Sequence, residues 1–134
     1  MTTSNEVLTR PTAETAARLL REVAWGEQLE GVIFGSGPGS ETERMFKLVE
    51  VYHLLMGMPS FTVDYELLAR WLEQTLGDAE LATRVRDAAQ ECGDPEGARA
   101  RNEDPEKRLR KQVIDLLGLR VTQCREALSP DRSV

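Results

Sequence analysis

Glu50 and His53 place a carboxylate and an imidazole one helical turn apart, a spacing that can bind a metal ion. Di-iron and di-manganese helical bundles use this Glu-x-x-His pattern twice, with a further glutamate from each of two other helices. Glu43 lies seven residues before Glu50 and would share its face of a continuous helix. His53 is the only histidine, so a complete site requires a second copy of the chain. The pattern predicts either a metal site formed by these three residues across a dimer or an ordinary helix surface with His53 near an interface.

A glycine-rich segment precedes this helix and offers an anion site as a second hypothesis. Gly35, Gly37, Gly39 and Ser40 follow a short apolar run and stand at the expected start of the helix. Backbone N–H groups at a helix N-terminus bind phosphate when a glycine-rich turn lets the ligand approach. The spacing differs from the dinucleotide fingerprint, Pro38 removes one N–H donor, and no second strand for a parallel sheet is expected. A connection between two helices is therefore the leading interpretation, and a phosphate or small-molecule sensor is the alternative.

Five apolar residues crowd the end of the same helix and the segment after it. They are Leu54, Leu55, Met56, Met58 and Phe61. Consecutive helix positions point about 100° apart, so these side chains cannot all face one neighbour. Methionine adapts well to varied contact surfaces. The crowding predicts either a central position in the core or a contact surface, and we expect a homodimer or another protein partner there.

A basic stripe of Lys107, Arg108, Arg110 and Lys111 begins the last predicted helix. Such a stripe can bind phosphate, nucleic acid or an acidic partner. The alternative is a solvated helix face whose cations pair with neighbouring acids. The formal net charge of −6 opposes nucleic-acid binding, which depends on neutralising phosphates.

Length and composition indicate one domain of a protein in a reducing compartment. The chain has 134 residues, the usual size of one domain. No secretory signal is recognised, and no apolar run approaches the roughly 18 residues of a membrane span. Cys92 and Cys124 show no Cys-x-x-Cys pattern, so we expect reduced core thiols rather than a zinc site. A cytoplasmic location without membrane contact follows as the expectation.

Apolar residues recur with a period near 3.6 in five segments, which predicts a single all-α domain, a bundle of about five helices. The expected helical domain covers residues 11–128, between a disordered N-terminus at 1–10 and a frayed C-terminus at 129–134. The helices are expected from Thr12 to Gly31, from Ser40 to Gly57, from Asp64 to Leu76, from Ala79 to Cys92, and from Asp104 to Ser129. Strand is expected at no more than two or three residues near 32–34.

The signals for helix ends come from capping residues. Ser40 with Glu43 fits a capping box, and Thr12, Asp78 and Asp104 fit N-cap positions. Trp71 lies on the apolar side of its helix, so we expect it to be buried.

Part of the chain resembles a bacterial domain family, DUF5752. The resemblance lies in Asp64–Tyr65, Arg70–Glu73 and Leu76–Ala82, which match the family's "DF…W…LG…LA" segment. Leu109–Leu117 is similar to the closing helix of that family, so the resemblance spans residues 61–117. The family has no assigned activity. The resemblance implies an all-α fold and an interaction role.

The chain shows no nucleophile–base pair of a known kind and no Gly-x-Ser-x-Gly motif, so catalysis is disfavoured. The sequence therefore predicts a non-catalytic cytoplasmic helical module for interaction or assembly, without a cofactor. The metal-binding protein and the phosphate sensor remain as alternatives.

Overall fold

The computed structural model describes residues 8–34, 40–92 and 104–129. Its elements in chain order are α1 (Ala13–Leu19), β1 (Leu29–Phe34), β2 (Ser40–Met45), α2 (Leu48–Gly57), β3 (Phe61–Thr62), α3 (Tyr65–Arg70), a π-helical segment (Trp71–Leu76) that continues α3, α4 (Ala79–Cys92) and α5 (Pro105–Leu128). The protein is rich in helix, as predicted. The three strands form an antiparallel sheet in the order β2-β1-β3, so the prediction of a purely all-α bundle is wrong.

The β1–β2 hairpin occupies the region where the sequence predicted the end of one helix and the start of the next. The two strands pair from Leu29 opposite Met45 to Phe34 opposite Ser40. Leu29 and Met45 are buried, whereas the neighbouring pair of Glu30 and Arg44 is exposed. This alternation has the period of two that a half-buried strand requires. The capping box at Ser40 and the helix from that residue are therefore wrong, and α2 begins at Leu48.

Gly31 is a strand residue rather than the end of a helix. β3 pairs with the other side of β1, with Phe61 opposite Ile33 and Thr62 opposite Val32. A Cβ atom added to Gly31 would lie 2.6 Å from the Phe61 ring and 2.8 Å from the Thr62 carbonyl oxygen. The glycine is thus required by the close packing of the Phe61 ring. α1 ends far earlier than expected, at Leu19.

The predicted N-caps outside the hairpin are confirmed. The Thr12 hydroxyl accepts a hydrogen bond from Thr15 N–H at 3.1 Å, and Asp78 Oδ1 accepts one from Leu81 N–H at 3.0 Å. Asp104 Oδ1 accepts from Glu106 N–H at 3.0 Å. A side-chain acceptor satisfies N–H groups that have no partner inside the helix, which fixes where the helix begins.

Arg120 of α5 forms a buried network with the start of α4 and the N-terminal segment. Its side chain is only 3% exposed, and Nε donates to Asp78 Oδ2 at 2.8 Å. Nη2 donates to Glu80 Oε1 at 3.0 Å, and Nη1 donates to the Thr9 carbonyl oxygen at 2.7 Å. Because Asp78 also caps α4, one carboxylate joins that helix start to α5.

The segment before α1 is held by the same network. Thr9 donates both its N–H and its hydroxyl to the Glu80 carboxylate, and Gln123 Nε2 donates to the Leu8 carbonyl oxygen at 3.0 Å. Leu8 itself is buried, so the packed part of the chain begins before Pro11. Residues 1–7 and 130–134 lie outside the described residues.

The Glu80 carboxylate makes the stability that this network contributes depend on pH. Partial burial raises its pKa, but hydrogen bonds from Thr9 and the guanidinium of Arg120 outweigh burial and hold the pKa below its ordinary value. The unfolded chain retains the ordinary pKa, so this contribution stabilises the folded state above that value. It disappears as the pH falls through the lowered pKa.

The close packing at Gly31 gives a test of the hairpin. We expect Gly31→Ala to lower the free energy of unfolding by about 1–3 kcal/mol, because the added methyl group overlaps the Phe61 ring. Gly57→Ala is the matched control, since a Cβ atom there has nothing within 4 Å and the change should stay within about 0.5 kcal/mol. Urea denaturation of both variants measures the difference. Equal stability of the two variants would contradict the strand at Gly31.

Candidate interaction surface

Trp25 is exposed yet held in place by two neighbours. Its side chain is 76% exposed, and its ring stacks on Phe46 with centroids 5.8 Å apart and an angle of 23° between the planes. The guanidinium carbon of Arg44 lies 5.7 Å from the Trp25 ring centroid. Arg44 also pairs with Glu30 across the hairpin, at 3.5 Å between Nε and Oε2. The indole is therefore presented to solvent in a defined orientation.

The turn before β1 positions this indole. Gly26 adopts a φ of 99°, a left-handed conformation that favours glycine, and its N–H donates to Gln28 Oε1 at 2.7 Å. Val23 N–H donates to the Phe46 carbonyl oxygen at 2.8 Å, which joins the turn to the end of β2. These bonds explain why the chain leaves the helical conformation after Leu19 although Val23 continues the apolar period.

The helix predicted from Thr12 to Gly31 includes Trp25, so the sequence analysis does not single out this residue. The apolar pattern contains one signal of its exposure. Trp25 falls outside the apolar stripe that includes Ala16, Leu19 and Val23, so a helix would have left the indole in solvent.

α2 begins two residues after Phe46, whose N–H donates to Glu50 Oε1 at 2.7 Å, and one face of this helix is exposed. Val49, His53 and Met56 follow one another at helical spacing, so they share one face. His53 and Met56 are exposed, Met56 to 53%, whereas Val49 packs partly against the core. We refer to Trp25, Phe46, Val49, His53 and Met56 as the Trp25–Met56 surface.

Only one of the five predicted interaction residues is largely exposed. Leu55 and Phe61 are fully buried in the core, and Leu54 and Met58 are half-buried against it. Met56 alone belongs to the Trp25–Met56 surface. The crowded apolar segment is thus mostly a core segment, and the expectation of a contact surface over all five residues is wrong for the buried ones.

Arg110 explains this burial. Its guanidinium donates to three carbonyl oxygens: those of Leu55 at 2.8 Å, Met58 at 2.7 Å and Phe61 at 2.5 Å. These bonds hold the turn after α2 against α5 and direct the Phe61 ring inward. The basic stripe is therefore partly structural, and Lys111 pairs with Asp115 at 3.2 Å.

The predicted metal ligands are not brought together. Glu43 lies on β2, so its helical spacing to Glu50 does not apply. Glu50 Oε1 accepts a hydrogen bond from Phe46 N–H at 2.7 Å, and the His53 ring lies 5.5 Å from the Tyr52 ring. Within the described ranges, no three His, Cys, Asp or Glu side chains are grouped as a metal site requires.

The helix that the predicted anion site requires is not present at Ser40. Ser40 begins β2, so no helix N-terminus follows the glycine-rich segment at this point. Gly35, Gly37 and Gly39 lie outside the described residues.

Cys124 is a poor candidate for a nucleophile. Its thiol is buried, and burial raises its pKa although the Arg120 guanidinium opposes the shift. A thiol must lose its proton to attack, so the raised pKa makes it unreactive at neutral pH. The side chain of Cys92 lies outside the described residues.

No protein-family model, curated protein or solved structure matches this chain. The resemblance to DUF5752 over residues 61–117 therefore stays a prediction. None of the helices in the described part of the chain is long and apolar enough to cross a membrane.

The two tryptophans offer a matched test of this geometry. Trp71 is buried, as predicted, and its Nε1 donates to the Glu27 carbonyl oxygen at 2.8 Å. We expect Trp71→Ala to lower the free energy of unfolding by about 3–5 kcal/mol. Trp25→Ala should cost at most about 1.5 kcal/mol, the range of an aromatic pair, because the indole is mostly in solvent. Denaturant titration at low protein concentration measures both, and a larger loss for Trp25 would refute its assignment to the surface.

Proposed function

We propose that the protein is a non-catalytic cytoplasmic interaction module that forms a homodimer through the Trp25–Met56 surface. The observation that supports this proposal most directly is the exposure of Trp25. Tryptophan is enriched among the residues that dominate the binding energy of protein interfaces. An indole already fixed by Phe46 and Arg44 loses little conformational freedom on binding.

Trp25 and Met56 leave apolar area in contact with water. Burial of apolar surface contributes about 25 cal/mol per Å², and a tryptophan side chain is among the largest sources of such area. On this surface Trp25 is 76% exposed and Met56 is 53% exposed. Methionine adds an adaptable contact on the exposed face of α2. Association would remove both side chains from water at once.

The charges around the surface favour a second copy of the chain as the partner. A two-fold interface uses the same patch on both subunits, so the patch must be complementary to itself. Arg44 provides a cation and Glu30 an anion close to Trp25. A two-fold arrangement allows Arg44 of each copy to approach Glu30 of the other copy. The aromatic rings would then lie between the two copies.

Sedimentation velocity at micromolar concentration tests the proposal. We expect a dimer for the unmodified chain and a monomer for Trp25→Glu and for Met56→Glu, because each variant would place an unpaired charge in the interface. Leu128→Glu is the matched control. Leu128 is also an exposed apolar residue, at 42%, but it is the last residue of α5, at the opposite end of that helix from Arg110 and the turn after α2.

The control variant should therefore remain dimeric. A monomer for the unmodified chain across this concentration range would refute the homodimer. Equal loss of association in all three variants would show that the Trp25–Met56 surface is not the specific contact.

A further inference from the structure

β2 is an edge strand of the sheet. It is six residues long, from Ser40 to Met45, and in the described part of the chain it pairs with β1 alone. The backbone N–H and C=O groups on the far side of an edge strand lack ladder partners and can pair with another strand. β3 at the opposite edge has only two residues, so β2 is the longer open edge.

The side chains of β2 give this edge a definite charge. Glu41 and Glu43 lie on one face of the strand, and Thr42 and Arg44 lie on the other, because successive residues of a strand point to opposite faces. Glu41 is exposed and Glu43 half-buried. Arg44 is engaged by Glu30 and Trp25, whereas neither glutamate forms an ion pair with a described residue. Two carboxylates at alternate positions, without an ion pair to any residue that the structure describes, therefore line one face of the open edge.

Like-charge repulsion disfavours a second copy of the chain as the strand that pairs with β2. A two-fold axis perpendicular to the sheet pairs residues of the same face, so one residue always lies opposite its own copy. We call the residue that lies opposite its own copy the centre of the pair. A centre at Glu41, Glu43 or Arg44 places a charge opposite an identical charge. A centre at Thr42 places Glu41 opposite Glu43 of the second copy, twice. Like charges directly opposite each other destabilise a strand pair, so each of these registers is disfavoured. A centre at Ser40 or Met45 leaves only one residue of β2 opposite β2 of the second copy, so it forms no ladder along the edge.

The complementary partner is an extended basic segment. We propose that β2 binds such a segment by strand addition, with lysine or arginine at two alternate positions that face Glu41 and Glu43. Backbone hydrogen bonds supply affinity in this binding mode, and alternate side chains supply specificity. Opposite charges across a strand pair are favourable, whereas a neutral or acidic segment leaves both carboxylates without a partner. Glu41 and Glu43 lie on the face of β2 opposite to Arg44, which contacts Trp25, so the proposal does not depend on whether the chain dimerises.

A ten-residue peptide of alternating threonine and lysine, with blocked ends, tests the proposal by calorimetry and by amide chemical shifts of β2. We expect saturable binding of this peptide and no binding of the same peptide with glutamate in place of lysine. Two further lysine peptides carry N-methyl groups, one on every threonine and one on every lysine. In a peptide paired with β2, the backbone N–H groups of alternate residues face β2, so either the threonine or the lysine N–H groups form the hydrogen bonds. N-methylation removes these donors, so one of the two methylated peptides should bind and the other should not.

Charge-reversal variants provide the matched control. The double variant Glu41→Lys and Glu43→Lys should lose affinity for the lysine peptide by at least about tenfold and gain binding of the glutamate peptide. The double variant Asp87→Lys and Glu91→Lys changes the net charge equally at two exposed positions of α4. It should bind the lysine peptide as the unmodified chain does.

Three results would overturn strand addition at β2. They are the absence of lysine-peptide binding at millimolar concentration, equal binding of both N-methylated peptides, and an equal loss of affinity in both double variants. The last result would show attraction to net charge alone. Sedimentation of the free protein is independent of these measurements, so a monomeric chain would refute the homodimer and leave the peptide result intact.

Discussion

The buried guanidinium of Arg120 is the constraint on which the arrangement of the helices depends. A charge in the interior must find opposite charge and hydrogen-bond acceptors in fixed positions, and removal of one partner of a buried pair costs about 3–5 kcal/mol. Asp78 and Glu80 at the start of α4 and the Thr9 carbonyl oxygen meet this demand together. A shift of α5 along α4 would break several of these bonds at once. The network therefore specifies one packing of the N-terminal segment, α4 and α5.

The position of α5 determines what the sheet leaves in solvent. Arg110 of this helix holds the turn after α2, and that turn leads directly into β3. β3 pairs with one side of β1, so the hairpin is attached to the helices through that side. β2 then forms the outer edge, and the Trp25 indole rests on Arg44 and Phe46 at its end. The two surfaces proposed for binding thus both depend on the same helix packing.

The sequence predicted the locally determined features and missed the features that depend on distant contacts. Asp78 and Asp104 cap their helices through side-chain bonds to residues two or three positions away, so a short motif suffices. Ser40 and Glu43 fit a capping box equally well, but pairing with β1 overrides it. The requirement at Gly31 comes from Phe61, a contact that no local pattern shows. Within the candidate surface the sequence predicts Met56, whereas Trp25 falls in the part of the first predicted helix, after Leu19, that is not helical.

The proposed homodimer is tested most directly by ¹⁹F NMR of the protein labelled with 5-fluorotryptophan. Two resonances are expected, and Trp71 serves as an internal reference because its indole is buried and hydrogen-bonded to Glu27. The Trp25 resonance is expected to shift and to lose its sensitivity to D₂O as the concentration rises through the dimerisation range, while the Trp71 resonance stays constant. A Trp25 resonance that keeps its full solvent sensitivity in the dimer would contradict a dimer contact at Trp25.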